Sequence, residues 1–435
     1  MEENQIQIPE GWAKQKGDNL FKVQGGFAFK SNDYKDEGVL LVRISNVGNN
    51  NFIYKDLIYV PKRFLTSHSN FLLDKDDVLM GLTGDLGKIC ILENGEFPFI
   101  LNQRVGRFIF NEKVNNRFLY YLISSSTIQN KFDAFFTGGA QKNISPSQIE
   151  SVEYIVPKST TEQQSIANIL SRTDQAIART EALIAKYSHI KIGLMQDLLT
   201  KGIDENGNIR TEQTHEFKDS PLGRIPKEWE CEKLNFASNI FISGVDKKSH
   251  LGEKAVSLCN YMDVYANREI YTKIDFMKAT AADAEIKKFQ LKVGDVIITK
   301  DSETPDDIAV PTVVKEVFDN LICGYHLAII RPKSNLLGNY LMFQLLNHSS
   351  KKYFGGLATG STRFGLKLGA IENFPVFIPK LSEQRKVVSI IDKNHNLIIE
   401  ENQKLSKLQS LKKGLMQDLL SGKVRVNNLN ANKIV

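Results

Sequence analysis

The chain has 435 residues, 42% of them apolar and 24% charged, with a formal net charge of +6. That length suits two or three domains, each able to bury a core, and the mild basicity permits a nucleic-acid partner without requiring one. The start, MEENQIQIPEGW, has no signal-peptide pattern, no apolar run is long enough to span a membrane, and Cys90, Cys231, Cys259 and Cys323 lie far apart without a CxxC pair; this points to a cytoplasmic protein with reduced thiols and excludes a secreted disulfide scaffold.

Residues 1–158 predict a first globular module. It opens with Ile8-Pro9-Glu10-Gly11-Trp12 and continues as short β-type runs separated by Gly and Asn turns, among them 39–44, 77–80, 88–92 and 105–110. A helix is expected around 116–132, then a Gly-rich turn at 137–143 (TGGAQKN), then a last strand at 152–156. Residues 159–202 predict a long helix. Ile166, Leu170, Thr173, Ile177, Thr180, Ile184, Tyr187, Lys191, Leu194 and Leu198 step in the heptad rhythm of a coiled-coil seam. Thr161 stands where an N-cap belongs, with Gln164 completing a capping box, and Gly202 follows the last turn. Residues 203–224 are polar and rich in turn formers, and predict a linker.

The whole plan then repeats. Residues 225–379 predict a second module, opening with Ile225-Pro226-Lys227-Glu228-Trp229 and carrying its own Gly-rich turn at 360–366. Residues 380–422 predict a second long helix, with seam positions Val387, Ile391, Asn394, Ile398, Glu401, Leu405, Leu408, Lys412, Leu415 and Leu419 and a cap at Ser382. Glu162-Gln163 matches Glu383-Gln384, and the heptapeptide GLMQDLL occurs unchanged from Gly193 and from Gly414. Residues 423–435 form a tail. An internal repeat of this size indicates a pseudo-two-fold molecule of α+β class: two β-rich mixed modules and a pair of long helices. Each helix would run roughly 60 Å at the usual rise. Their heptads do not decide between parallel and antiparallel pairing.

No catalytic constellation stands up. Residues 81–88 (GLTGDLGK) resemble a phosphate loop but miss the Walker spacing, with Ile89 where a Ser or Thr would hold Mg²⁺. The seven histidines form no HxxxH or HxH pair. Asp76 and Asp77 are adjacent, so they point to opposite faces of a strand. Pro305, Asp306 and Lys315 lack the spacing of a nuclease site. Binding is therefore favoured over catalysis, and no metal is expected.

Taken together, the duplicated module-helix plan, the EQ…GLMQDLL helices, the Ile-Pro-x-x-Trp openings, Phe27-Ala-Phe-Lys-Ser31 and Leu101-Asn-Gln-Arg104 resemble the specificity subunits of type I restriction-modification systems over nearly the whole length. The resemblance implies that each module is a target-recognition domain reading one half of a split site in double-stranded DNA. It implies an antiparallel coiled coil that sets the gap between half-sites and docks two methyltransferase subunits and, through them, restriction/translocase subunits. S-adenosylmethionine, ATP and Mg²⁺ would belong to those partners, with no cofactor in this chain. Gly193, Leu194, Met195 and Leu198, with Gly414, Leu415, Met416 and Leu419, are the candidate spacer and partner-docking positions.

Base reading needs Arg, Lys, Asn or Gln on turns that reach a groove, and phosphate contacts need cations beside accessible backbone. In the first module these are Lys30, Arg43, Asn46, Lys88, Gln103, Arg104, Gln141, Lys142 and Asn143; in the second, Lys247, Lys248, Lys300, Arg363 and Lys367. The two Gly-rich turns are the favoured surfaces, and Trp12 and Trp229 are assigned to the cores. Competing readings are a non-catalytic coiled-coil scaffold and the recognition half of a single-chain restriction enzyme.

Overall fold

In the computed structural model, which describes residues 8–84, 87–93, 97–135 and 142–426, two long helices span Thr160–Thr200 and Leu381–Leu420. Neither sequence contains an internal proline, and each helix is followed by a glycine in the left-handed region, Gly202 at φ +64° and Gly422 at φ +71°. The caps differ from expectation. Ser159 Oγ accepts from the Glu162 amide, so the first helix begins one residue before Thr161, and Gln164 bonds to Asn115 and Asn168 instead of closing a capping box. Ser382 lies inside the second helix, where the Glu383 amide donates to the Lys380 carbonyl.

The heptad positions are the shielded ones. Ile166, Leu170, Thr173, Thr180 and Leu198 on the first helix are buried, as are Val387, Ile391, Asn394 and Leu419 on the second. The polar seam residues are accommodated locally: Thr173 and Thr180 hydroxyls donate to the carbonyls four residues back. Lys412 reaches Asp174 at 2.6 Å.

The chain divides into two compact units, Met1–Glu181 with Gln403–Val435, and Ala182–Asn402. This cut differs from the order of the sequence, because each unit takes the first turns of one long helix and the last turns of the other. Within each unit the two helix pieces are antiparallel.

In the first unit, a four-stranded antiparallel sheet runs in the order Phe21–Gly25, Val105–Phe110, Val78–Gly81, Ile89–Ile91. A second sheet runs Tyr59–Val60, Val39–Val42, Phe99–Leu101, Leu72–Leu73, with its middle pair parallel. Strand Trp12–Lys16 pairs with Glu153–Pro157, which leads into the first long helix. The apolar core joins Phe118, Leu122 and Tyr154 to Ile166 and Leu170 and to Leu419 and Leu420 from the end of the other helix.

The second unit repeats this with elaborations. A five-stranded sheet runs Ser238–Ile242, Leu327–Pro332, Val296–Thr299, Pro311–Val314, Glu269–Ile270, beside a three-stranded sheet of Met277–Ala281, Lys254–Cys259 and Leu321–Cys323. Its core joins Tyr340, Phe343 and Phe354 to Val387 and Ile391 and to Leu198 and Leu199. The GLMQDLL heptapeptide therefore does the same work in both units: its last two leucines fill the core beside the Glu-Gln start of the other helix.

That start is a built polar joint. Gln163 accepts from the Asn115 amide at 2.8 Å and donates to the Pro157 carbonyl at 2.9 Å; Gln384 accepts from Leu337 and donates to Asn335 and Pro379, each at 2.8 Å. Both amides are buried with both ends used. Glu162 takes a two-pronged contact from Arg425 at 2.6 and 2.9 Å, and Glu383 one from Arg210 at 2.5 and 3.2 Å. Residues 203–224, expected as a linker, are thus part of the second unit. Arg210 and Ile203 are buried, and Phe217–Lys218 pairs with Ile225–Pro226. Trp12 and Trp229 are buried, as expected of core residues, each packed beside the helix-ending glycine of its unit. A Cβ on Gly202 would lie 2.1 Å from Glu383 and 2.3 Å from Trp229, so close approach as well as backbone sign requires glycine there.

Candidate nucleic-acid interface

Three segments meet at one junction in each unit, and strand register makes the two junctions equivalent. In the first unit Gly81 pairs with Val105, and in the second Thr299 pairs with Leu327. The residues just outside those pairs are therefore Leu82 with Arg104, and Lys300 with His326. The Leu82 amide donates to the Arg104 carbonyl at 2.9 Å, and the Lys300 amide to the His326 carbonyl at 2.9 Å. The third segment closes the junction: Ile144 donates to Leu82 and Leu366 to Lys300, again at 2.9 Å in both. These are the ends of the two Gly-rich turns. Thr83 bridges Asn143, as Asp301 pairs with Gly365.

This geometry brings several of the sequence-predicted residues together. In the first unit Gln103 and Arg104 are exposed beside Lys142 and Asn143, also exposed. The Gln103 amide donates to Phe27, and Lys142 pairs with Asp133 at 2.7 Å. Lys88 is half-buried across the strand pair, its carbonyl accepting from Gly81. Gln141, with most of the 137–143 turn, lies outside the described residues, as do Asp85 and Leu86 of the 81–88 loop. In the second unit Lys300 and Arg363 sit at the junction, and the Lys247 ammonium stands 5.7 Å over the Tyr325 ring next to His326.

Other candidates stand apart. Asn46 is fully buried: its side chain accepts from the Arg43 amide and donates to the Ile53 carbonyl, so a groove contact there gives way to a structural turn. Arg43 is half-buried and donates to the Asp56 carbonyl at 2.6 Å. Lys30, Lys248 and Lys367 are exposed, but among the described residues no hydrogen bond ties them to the junction: Lys30 precedes a short 3-10 turn, the Lys248 amide donates to Asp246, and Lys367 precedes helix Leu368–Glu372.

The junction in the second unit also holds residues that sequence reading missed. Asp301, which has only 8% of its surface exposed, places Oδ2 against His326 Nδ1 within hydrogen-bond reach, and Arg363 approaches the same oxygen at 3.4 Å. Tyr325 and His326 rings lie 4.0 Å apart. The only sequence signal was position: Tyr325-His326 stands where Gln103-Arg104 stands, immediately before the strand.

On the long helices, Leu198 and Leu419 are core residues, and Leu194, Met195, Leu415 and Met416 pack against the cores. Burial removes Leu198 and Leu419 as docking positions, while the other four pack against the cores and stay partly exposed. Gly193 and Gly414 are exposed, and a Cβ on either would meet nothing within 4 Å. A close crossing of the paired helices therefore does not account for them. Among the described residues no group of three or more His, Cys, Asp or Glu is placed to hold a metal, and no helix is long and apolar enough to cross a membrane.

A family model described as the type I restriction modification DNA specificity domain matches residues 9–186 and 247–410. A putative type I restriction enzyme specificity subunit, MjaX, of Methanocaldococcus jannaschii is 24% identical, covering 97% of this chain and 95% of that one. The EcoKI specificity subunit of Escherichia coli K12 is 23% identical over 88% of this chain and 82% of its own. Among solved structures, the S subunit of a type I restriction-modification system from M. genitalium superposes with a TM-score of 0.57 at 16% identity, covering 96% of this chain and 97% of that one. A chain from a type I system studied for complex assembly and conformational transition gives 0.56 at 15%, covering 96% and 100%.

Proposed function

Because this chain belongs to the family of type I restriction-modification specificity subunits, we propose that its two modules read the two halves of a bipartite site in double-stranded DNA. The observation that carries this reading is the pair of equivalent junctions. The same three backbone segments meet by the same hydrogen bonds, yet display Gln103, Arg104 and Lys142 in one unit and Tyr325, His326 and Arg363 in the other. A common scaffold with unlike polar tips is what reading two different half-sites requires, since base edges are distinguished by donor and acceptor pattern.

The chain acts as a recognition component without catalysis of its own. Two methyltransferase subunits dock on the long helices, and restriction/translocase subunits join through them, in the cytoplasm. S-adenosylmethionine, ATP and Mg²⁺ are held by those partners. Gly193 and Gln196 on one helix and Gly414 and Gln417 on the other are the exposed positions of the repeated heptapeptide, and they support equivalent docking of two copies of one partner.

The test is duplex binding by the full chain assembled with its methyltransferase. Binding is expected to select one split sequence from a random duplex pool and to weaken steeply with salt, by about a thousandfold between 50 and 200 mM if roughly six phosphates are contacted. An assembly that retains all duplexes equally overturns the reading, and methyl transfer by the isolated chain overturns its non-catalytic part.

A further inference from the structure

Building on the recognition reading above, we infer that His326, locked by Asp301, is a base-reading residue of the second module and occupies the same reading position as Arg104 in the first. Register and hydrogen bonding carry the equivalence. Both residues lie just outside a matched strand pair and offer the carbonyl to the matched amide, Arg104 to Leu82 and His326 to Lys300. Each also follows a residue whose amide is fixed by an early loop, Gln103 on Phe27 and Tyr325 on Val245. The positions coincide while the side chains differ, as expected where the base to be read differs.

Three features of His326 exceed what a turn needs. Its backbone is left-handed, φ +67°, a region uncommon for residues other than glycine, though histidine enters it more readily than most, and often retained at functional sites. Its Nδ1 is engaged by a carboxylate that is almost wholly buried, which fixes the orientation of the ring. Its Nε2 makes no hydrogen bond among the described residues, although the side chain is 30% exposed. The lock itself has spare capacity. Asp301 Oδ1 is buried without a hydrogen-bond partner among the described residues, while Oδ2 serves both His326 and Arg363. A buried acceptor left unpaired is costly in a purely structural role. The ring is also braced on Tyr325, whose own ring has the Lys247 ammonium over it. An imidazole oriented in this way presents a single directional group, Nε2, to one base edge in the major groove. Asp301 is a positioning residue that sets the angle at which that group is offered.

The experiment uses the full chain assembled with its methyltransferase, selecting from a duplex library randomised over both half-sites and sequencing the bound fraction. His326→Ala is expected to relax one base pair, in one half-site only, by about tenfold in discrimination, with the other half-site and the gap unchanged. Asp301→Asn is expected to relax the same pair, and Arg104→Ala one pair in the opposite half-site. His326→Arg installs the residue of the first module and is expected to move the preferred base toward guanine, whose N7 and O6 match a guanidinium fork. Conservative His326→Asn, together with thermal melting of every variant, separates misfolding from lost reading. The inference is overturned if His326→Ala and His326→Asn, both folded, retain the parental sequence preference. It is equally overturned if they weaken all duplexes uniformly and lower the salt slope by about one, the signature of a phosphate contact. If the parental assembly itself selects no sequence, the recognition reading has failed, which is a separate result.

Discussion

Glu383 shows how much of the fold rests on single side chains. Its carboxylate takes Arg210, the Ile203 amide and the Trp229 indole, with the Arg210 and Glu383 side chains 7% and 11% exposed. Arg210→Ala would leave that carboxylate buried without its cation, and is expected to lower unfolding free energy by about 3–5 kcal/mol in urea titration. Lys14→Ala, which removes an exposed pair with Glu153, should change it by less than about 1 kcal/mol. His395 supplies a pH test. Burial foremost, then the charges of Arg268 and Lys191, hold its imidazole below the ordinary value, with Asp392 and Glu269 opposing. The unfolded chain therefore binds the proton more readily than the folded one. The contribution to stability is full above the unfolded value and is lost as pH falls toward the lower folded value. The urea midpoint should drop between about pH 7 and about pH 5, and His395→Gln should flatten that slope; an identical slope in the variant would remove His395 as its source. Residue roles were the least legible part of the sequence. Arg210 reads as one more charge in a polar stretch, and Asn46 as a candidate DNA contact, because nothing local reports which side chains the fold will bury.

Among elements, the long helices were legible nearly to the residue. Heptad spacing identifies the buried seam, and the absence of proline with a glycine after each helix marks their extent. The caps missed by one or two residues, since Ser159 and Thr161 are equally good capping types and tertiary context selected the first. Glycines inside the helices carry a prediction. With open space at their Cβ positions, Gly193→Ala and Gly414→Ala should each raise unfolding free energy by about 0.5–1 kcal/mol, measured by urea titration of the isolated chain. If both leave stability unchanged or reduce it, the open geometry at those positions is wrong. The same substitutions should weaken methyltransferase co-purification if its surface approaches these glycines closely.

For the whole molecule, the arrangement of recognition and spacing makes the gap adjustable independently of the bases read. One heptad inserted into both long helices keeps the seam in phase. It adds about 10 Å at the helical rise, equivalent to roughly three base pairs. Mapping of bound or modified sites should show the tolerated gap lengthened by about that amount with both half-sites unchanged. An unaltered gap would end the spacer role. A chain carrying a second copy of residues 1–158 in place of 225–379 should read two copies of the first half-site, whereas a scaffold without recognition would leave target choice unaffected.

By itself, the sequence determined what is periodic or repeated: two β-rich modules, two long helices, tryptophans in the cores and a shared Glu-Gln start. These follow from spacing of apolar residues, which acts locally and survives in one dimension. Only the tertiary structure decided which pieces belong together. The first unit holds the start of one long helix and the end of the other, because Leu419 and Leu420 find their apolar partners beside Ile166 and Leu170 rather than near their neighbours in sequence. The same three-dimensional closure turns residues 203–224 from apparent linker into a scaffold for Arg210, and places His326 over Asp301 at the position of Arg104. Burial and hydrogen-bond pairing between distant segments select those contacts, and a linear pattern carries no record of which distant segment will arrive.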